Sequence, residues 1–565
     1  MKTIKQLKLA AAVAAGLALV GCGSDDDSSD IARSFDCTPV ETAPRTICIG
    51  SESDLSDEKV FNDINAALDA LELTSGDTIV LPEGRYKMSA GFSINGLDAL
   101  TDITIKGAGI DKTILDFDGT AEDSFLIENM DNLIMEDMGV YESANNAVKT
   151  QGVDGVILRR IATVWETDYS SDNGAYGLYP VLSENVLIED CYVQGSADAG
   201  VYVGQTINAI VRGCEATKNV AGIEIENTIN ADVYNNNAHG NTGGILVFNL
   251  PIDNNTRYTA NVRVFDNVVE SNNAPNFAEP GSNPAGVHIV PPGTGVILLA
   301  AQDVEVFNNN IVDNETIAIA VTSFLLPDDD VENYATSYGS ILVSGWVPLM
   351  KSVNIHDNTI SQARYAPKAG NLEPMQDVVL GYAFQTQAPI PDIFYDGVGE
   401  LLANAQELED FQALEALDQA DTFDPAQFTY YNYANNGADK SDAICVSDNG
   451  DATVGAISLN GYDLLVAGAT LQAAAEGGAD AGTLAQLQAN LDAEIAAAFE
   501  LDESDNPTTY KAILQADEPA MFACGGETGR EVPTASSGTT VTFGESSFAC
   551  GVDDAATAPD TCIAI

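Results

Sequence analysis

A short phrase of alternating apolar and polar residues recurs eight times along the chain. It is clearest at residues 185–191 and 208–214, where two aliphatic positions flank a variable one and an amide or small residue follows shortly after. The shortest intervals between copies are 22 or 23 residues, and the longer intervals correspond to one coil plus an inserted loop. The phrases begin at Asn132, Gly155, Asn185, Asn208, Asn230, Asn261, Asp303 and Ser352. This period predicts a solenoid of stacked parallel strands, in which residues one period apart become neighbours.

Fixed positions within the phrase predict which side chains point inward. The fourth residue is aliphatic or methionine in every copy, as a strand facing a core requires. The seventh residue is asparagine in the last four copies and predicts an asparagine ladder of stacked amides: Asn236, Asn267, Asn309 and Asn358. At the same position Cys191 and Cys214 stand one period apart, which allows either a disulfide or two stacked thiols.

A second strand in each coil follows the pattern glycine, aliphatic, any residue, aliphatic. Its middle residues predict an outward, solvent-facing row: Lys149, Tyr179, Tyr202, Glu224, Leu246, His288 and Ala320. Tyrosines can stack on a sugar ring while neighbouring acid and base groups move a proton. The candidate catalytic residues are Tyr202, Glu224, His288 and Lys149. The candidate substrate-binding residues are Tyr179, Asp198, Gln205, Glu226 and Asn227.

That row has a plainer interpretation. Tyrosine favours strands for reasons of packing alone, so the row can be an ordinary solvated face. Residues at the bends, such as Asp198 and Asn227, can hydrogen-bond to their own backbone instead of to a sugar or cation.

The first strand also has an outward row, at the fifth position of the phrase: Glu136, Arg159, Glu189, Arg212, Tyr234, Phe265, Phe307 and His356. The alternating charges predict cross-strand ion pairs, each of small energy. Phe265 and Phe307 are too apolar to lie bare, so we expect an insertion or the C-terminal region to cover them; an exposed glycan platform is the alternative.

The N-terminus predicts export. Three lysines precede an apolar run at residues 9–20, which is too short to span a bilayer. The sequence Leu19-Val20-Gly21-Cys22 resembles the lipobox of bacterial lipoproteins, and this resemblance implies cleavage before Cys22, acylation of its thiol and anchoring in the bilayer. We expect an envelope location, at the outer membrane of a Gram-negative bacterium. The alternative is an ordinary signal peptide followed by a chance cysteine.

Cysteine count and charge restrict the partners. The other eight cysteines are an even number in an exported chain and predict disulfides: Cys37, Cys48, Cys191, Cys214, Cys445, Cys524, Cys550 and Cys562. The formal charge of −62 repels nucleic acid and anionic surfaces. An acidic polysaccharide would need a basic patch or a bridging cation, for which calcium is the candidate. No metal-binding motif and no cofactor motif is evident in the sequence.

Phrases at residues 174–177, 196–205, 219–227 and 241–248 resemble a family of bacterial parallel β-helix repeat lipoproteins within the pectate-lyase-like superfamily. The resemblance implies an all-β, right-handed parallel β-helix and export, but no reaction. Pectate lyases, polygalacturonases and alginate epimerases share the fold, and fold alone does not confer function. The Asp-Pro-His-Asp motif of the epimerases and the Gly-His-Gly motif of the polygalacturonases are absent from this sequence.

The expected organisation has four parts: a lipoprotein signal peptide at residues 1–21, a tether and leading segment at 22–58, the β-helix with an N-terminal capping helix at 59–375, and a partly helical, cysteine-containing accessory region at 376–565. The helical stretches are 60–73, 403–420 and 464–501.

The expected function is that of a lipid-anchored envelope or surface protein that binds polysaccharide or another envelope component, or serves a structural role. The alternative is a polysaccharide lyase, epimerase or glycoside hydrolase with its site on the second-strand face. Scarce basic residues disfavour a lyase, which must stabilise a carboxylate-bearing carbanion.

Overall fold

The repeated phrases form parallel strands that stack into three long sheets, here called sheets A, B and C. Two 19-residue strands, Asp123–Tyr141 and Asn146–Val164, each pass through all three sheets. This computed structural model describes residues 37–49, 68, 71–97, 99–279, 286–324, 327–328, 337–362, 390–396, 444–457, 467–468, 471, 474–475, 478–501, 507–510, 513–515, 539–543 and 546–549.

Each sheet takes one strand from each coil. Sheet A contains Thr46–Cys48, Thr78–Val80, Thr101–Lys106, Glu184–Glu189, Ile207–Arg212, Ile229–Tyr234, Ala260–Phe265, Gln302–Phe307, Lys351–His356 and Ile444–Ser447. Sheet B contains Gly84–Lys87, Thr113–Asp116, Tyr192–Gln194, Glu215–Thr217, Asn237–His239, Val268–Glu270, Asn310–Val312 and Thr359–Ser361. Sheet C contains Phe92–Asn95, Tyr176–Val181, Ala199–Gly204, Ala221–Glu226, Gly243–Phe248, Thr294–Leu299, Ile317–Thr322, Ile393–Tyr395 and Val454–Ile457.

The core is a column of aliphatic side chains that runs through the coils. All eight residues at the fourth position of the phrase are fully buried, as predicted: Met135, Leu158, Ile188, Val211, Val233, Val264, Val306 and Ile355. Burying each such side chain stabilises the fold by about 1.5–3 kcal/mol, so this column is a main source of stability.

The predicted asparagine ladder is confirmed and is longer than expected. Asn267 accepts the backbone N–H of Asn236 at 3.0 Å, and its own amide donates to Asn309 Oδ1 at 2.9 Å. The ladder continues through Asn358 to Asn449. A second ladder, which the phrase did not predict, joins the bends between sheets B and C: Asn219, Asn241, Asn272 and Asn314. Both ladders satisfy backbone groups that the bends leave without sheet partners.

Two disulfides lie within the described residues. Cys37 pairs with Cys48, and Cys191 pairs with Cys214 across neighbouring coils, which settles the choice between a disulfide and free thiols there. Cys445 is also disulfide-bonded. The predictions for Cys22, Cys524, Cys550 and Cys562 fall outside the described residues, as do those for the signal peptide and most of the tether.

The β-helix continues past residue 375, so the predicted boundary is too early. Strand Ile393–Tyr395 extends sheet C, and strand Ile444–Ser447 extends sheet A. Val454–Ile457 then adds to sheet C and pairs antiparallel with Ile513–Gln515. Long segments separate these strands in the sequence, so the repeated phrase does not indicate them.

The remaining elements are short helices and hairpins. Helix α1 is Gly339–Val343, helix α2 is Ala481–Ala498, and Val287–Ile289 is a 3-10 helix. Antiparallel hairpins pair Phe499–Leu501 with Pro507–Tyr510, and Thr540–Phe543 with Ser546–Ala549.

The predicted helices are only partly described. Helix α2 lies within the stretch predicted at 464–501. The stretch at 403–420 falls outside the described residues, and in the stretch at 60–73 Leu68 is helical whereas 71–73 are not. Among the helices that the structure describes, none combines the length and apolarity needed to cross a bilayer.

The hairpin Thr540–Phe543/Ser546–Ala549, here called the C-terminal hairpin, covers part of the outward face of sheet A. Its Val541 is fully buried in one apolar cluster with Ile157, Leu187 and Ile210. The same cluster contains the stacked rings of Tyr234, Phe265 and Phe307, whose centroids are 4.8 and 4.9 Å apart. The expectation that Phe265 and Phe307 are covered is therefore confirmed.

Candidate functional site

The outward row of sheet C follows the predicted order except at one coil. In chain order it contains Ser93, Leu126, Lys149, Tyr179, Tyr202, Glu224, Leu246, Ile297, Ala320 and Phe394. His288 does not belong to this row, because residues 287–289 form a 3-10 helix and the strand of that coil is Thr294–Leu299. Pro291 and Pro292 separate the two segments, and the later segment carries the same glycine-aliphatic pattern.

The C-terminal part of this row is not solvent-facing, which corrects the sequence expectation. Glu224 is 2% exposed and Tyr202 is 5% exposed, while Lys149 and Tyr179 are half-buried. The described parts of the insertions at residues 249–259, 271–293 and 323–350 place apolar side chains over the row, including Leu250, Val287 and Trp346. Among the residues that the structure describes, the coils before Tyr202 keep an open outward face, with Ser93 and Asn95 exposed.

Three tyrosine rings meet where the open part of the row ends. The ring centroids of Tyr176 and Tyr179 are 4.5 Å apart, those of Tyr176 and Tyr202 4.7 Å, and those of Tyr179 and Tyr202 5.0 Å. The Lys149 ammonium lies 5.3 Å from the Tyr179 ring centroid, within reach of a cation–π contact. The sequence did not indicate Tyr176 as a site residue, because the alternation of inward and outward side chains breaks at the glycine that follows it. The alignment of Tyr176 with Ala199 of the next coil is the signal that could have identified it.

Three carboxyl groups adjoin these rings: Asp198, Glu224 and Glu226. Glu226 Oε1 accepts a hydrogen bond from the Tyr202 hydroxyl at 2.9 Å and from the Gln205 amide at 3.2 Å. Tyr176 hydrogen-bonds to Asp198. Glu224 Oε2 is buried and has no hydrogen-bond partner. These residues and the tyrosines are here called the tyrosine–carboxyl cluster.

Burial controls the protonation of the cluster. Desolvation raises the pKa of Asp198 to about 7, against the opposing effect of the Tyr176 hydrogen bond. It raises the pKa of Glu226 to about 7 as well, with the Tyr202 hydrogen bond acting in the opposite direction. The pKa of Glu224 lies well above its usual range, first through burial and then through the charges of Asp198 and Glu226. At neutral pH the cluster therefore retains protons that exposed carboxyl groups would lose.

Two predicted residues lie apart from this cluster. The side chain of Asn227 bonds to the backbone of Leu250, with its amide donating at 2.8 Å and its oxygen accepting at 2.6 Å, and so holds the loop at 249–259. His288 is 9% exposed, and burial lowers its pKa. By contrast, the structure brings Lys149, Tyr179, Tyr202, Asp198, Glu224, Gln205 and Glu226 together.

Loops bound the cluster at both ends of the strands. At one end Tyr169 contacts Phe277 of the loop at 271–293, with ring centroids 5.9 Å apart. At the other end Arg257 donates to the carbonyls of Ser183 at 3.0 Å and Gln205 at 2.6 Å. The residues that remain half-buried between these walls are Lys149, Tyr176, Tyr179 and Asp198.

Among the residues that the structure describes, no group of three or more His, Cys, Asp and Glu side chains is arranged to hold a metal ion. The arrangement instead offers aromatic faces together with carboxyl groups that can both donate and accept hydrogen bonds when protonated.

Residues 103–371 match the family model described as "Right handed beta helix region". No curated protein matches the chain at a significant level. Among solved structures, the A-module of mannuronan C-5 epimerase AlgE4 from Azotobacter vinelandii is similar at 17% identity and a TM-score of 0.36, covering 61% of this chain and 88% of that one. A polygalacturonase from Erwinia carotovora ssp. carotovora is similar at 12% identity and a TM-score of 0.35, covering 62% of this chain and 100% of that one.

A DFA-IIIase from Arthrobacter chlorophenolicus A6 is similar at 11% identity and a TM-score of 0.33, covering 62% of this chain and 92% of that one. These similarities do not assign a reaction, because proteins of unrelated function share such folds. The family match and the three stacked parallel sheets agree with each other: the described strands within residues 103–371 form a right-handed parallel β-helix.

Proposed function

We propose that the chain binds a polysaccharide on the open outward face of sheet C, with the tyrosine–carboxyl cluster holding one sugar residue. The observation that carries this proposal is the meeting of three tyrosine rings, 4.5–5.0 Å apart, with buried carboxyl groups at the end of an open row. Aromatic faces pack against the apolar faces of sugars, and a few fixed polar groups orient a ligand in sites of this kind.

The geometry favours binding through the half-buried rim. Lys149, Tyr176, Tyr179 and Asp198 are accessible, whereas Glu224 and Glu226 lie behind them. Open coils before the cluster present Ser93, Asn95 and Gln151 on the same face, at a spacing of about 4.8 Å per coil. A polymer lying along these coils would contact polar side chains first and the aromatic rings at its end.

A membrane anchor is part of this proposal. Cys22 would carry the acyl chains and hold the β-helix at the cell envelope. Incorporation of a radiolabelled fatty acid into the wild type and into Cys22→Ser tests this. The support is the lipobox-like sequence at residues 19–22. Loss of both label and membrane association in the variant is the expected result.

An enzyme of the lyase, epimerase or glycoside hydrolase type is the second candidate. One observation favours it: the pKa of Asp198 and the pKa of Glu226 are both raised to about 7. A general acid or base works best when its pKa lies near the working pH, and perturbed carboxyl groups concentrate at active sites.

A screen of the purified, lipid-free chain against neutral and acidic polysaccharides, with and without calcium, tests both candidates. We expect saturable binding that weakens about tenfold or more in Tyr179→Ala. Tyr192→Ala is the matched control, because Tyr192 lies on sheet B. Binding that Tyr179→Ala leaves unchanged would remove the proposed site.

The same incubations are assayed for new reducing ends and for unsaturated products. Product that disappears in the double variant Tyr202→Phe/Glu224→Gln would establish the second candidate. Binding by the wild type without any product would exclude catalysis by those two residues.

A further inference from the structure

The charges around the accessible rim point to the class of sugar that the site takes. Four carboxyl groups act on Tyr179, those of Glu226, Asp198, Asp123 and Glu224. They come from two strands of sheet C and from the bend before a third, so they surround the ring from several coils. The basic group that the structure places against this ring is Lys149. The balance of charge at the rim is therefore acidic.

Glu224 shows what a ligand would meet behind the rim. Its Oε2 is buried without a partner, and Asp198 and Glu226 are the charged groups that act on it. A carboxyl group in this position is held as the neutral acid, which can donate to a hydroxyl oxygen and accept from a hydroxyl hydrogen. Sugar hydroxyls offer both, whereas a carboxylate offers acceptors only.

A charged sugar would meet a different balance. A uronate carboxylate entering beside Asp198 would be a further negative charge in a poorly solvated place, where like charges repel each other strongly. Lys149 could compensate one charge, but its ammonium already lies 5.3 Å from the Tyr179 ring centroid, on the side of the preceding coil. The carboxyl groups of Asp198, Glu224 and Glu226 lie on the following coils, beyond that ring.

We propose that the tyrosine–carboxyl cluster selects uncharged sugar residues and rejects uronates. This inference rests on the proposed function, because it names the substrate class of the same site. The preference comes from the rim itself and adds to the general repulsion of polyanions by a chain of formal charge −62.

Polymers that differ only in charge separate the preference of the rim from the long-range repulsion of polyanions. Polygalacturonate, alginate and polyglucuronate are each compared with the same polymer after reduction of its carboxyl groups to primary alcohols, which removes the charge and keeps the linkage. Affinity is measured by calorimetry with the full mature chain at moderate and at high salt. We expect at least one reduced polymer to bind, and to bind about tenfold or more tightly than its parent even at high salt, where long-range repulsion is screened.

Lys149→Gln is the second measurement. The preference for a reduced polymer over its parent should persist or grow in this variant, because Lys149 is the basic group that the structure places against the Tyr179 ring. Tighter binding of a parent uronate than of its reduced form, abolished by Lys149→Gln, would overturn this inference and leave the proposed binding site in place. Binding of none of the polymers, reduced or parent, in a screen that also includes neutral glucans and mannans would overturn both.

Discussion

The hydroxyl of Tyr202 donates a 2.9 Å hydrogen bond to Glu226, which lies on the next coil of sheet C. The ring reaches that far because it lies flat over Gly204, two residues along its own strand. Gln205 completes the link by donating to Glu226 at 3.2 Å. Two coils are thus joined by side chains at the point where the open face of the β-helix meets its covered part.

Removing this hydroxyl should weaken glycan binding. In Tyr202→Phe the carboxyl group of Glu226 loses a donor that opposes the rise of its pKa, so its pKa rises further. Loss of one hydrogen bond of this type corresponds to an affinity decrease of about two- to tenfold, measured by calorimetry at pH 7. The control is Tyr192→Phe, whose hydroxyl bonds to Gln194 on sheet B. Equal losses in the two variants would contradict a local effect.

Gly204 should not tolerate a side chain. A Cβ added there would lie 2.6 Å from Cζ of Tyr202, so Gly204→Ala must displace a buried ring. We expect a loss of about 1–3 kcal/mol in the free energy of unfolding and a parallel loss of glycan affinity, from urea titration and calorimetry. Gly339→Ala serves for comparison, since a Cβ at that position in helix α1 meets nothing within 4 Å. Retention of full affinity in Gly204→Ala would show that the ring position is unimportant.

Neutralising Glu226 should change how stability depends on pH. Its pKa is about 7 in the folded chain, whereas an unfolded glutamate has a pKa of about 4.3, so the folded state holds the proton more tightly. The stability that this proton contributes is present in full below about pH 4 and is lost as pH rises through about 7.

Glu226→Gln has no ionisable group at this position. Its free energy of unfolding should therefore increase relative to that of the wild type as pH rises. The difference in unfolding free energy should be close to zero at pH 4 and roughly 1–3 kcal/mol in favour of the variant at pH 8. Asp198 and Glu224 share the site and their pKa values will fall when the charge at residue 226 is removed, which acts in the same direction. A difference that stays constant from pH 4 to pH 8 is the result that would refute this account.

The first asparagine ladder should be sensitive to a single deletion. In Asn267→Ala the backbone N–H and the side-chain amide of Asn236 both lose their acceptor. Each buried donor left unpaired costs about 1–3 kcal/mol, so we expect a loss of about 2–5 kcal/mol in urea unfolding. Asn310→Ala, on the exposed side of sheet B, is the matched control and should change stability by less than about 0.5 kcal/mol. Similar losses in both variants would argue against the ladder.

The regular part of the fold could be predicted from the sequence. Aliphatic residues such as Ile188 and Val211 recur at one period, and a strand exposes alternate residues to one side, so core and outward rows followed directly. The same register predicted that Lys149, Tyr179, Tyr202 and Glu224 lie side by side on successive strands.

The inserted loops could not be predicted, because nothing in a period specifies how a long insertion folds back. For this reason Tyr202 and Glu224 were expected in solvent but are buried. His288 was misplaced by a pattern that two prolines separate from the true strand. The partners of Asn227 lie in an insertion, and the raised pKa values of Asp198 and Glu226 depend on burial that only the folded loops create.

The C-terminal hairpin has a consequence for how the molecule unfolds. In a solenoid each coil contacts only its nearest neighbours, so coils can open one after another from either end. Here Thr539, at the start of the hairpin, donates to Asp232 from 307 residues away, and Val541 packs against three successive coils of sheet A. Those coils cannot separate until the hairpin has left them. The hairpin thus converts three coils that could open one by one into a single cooperative unit.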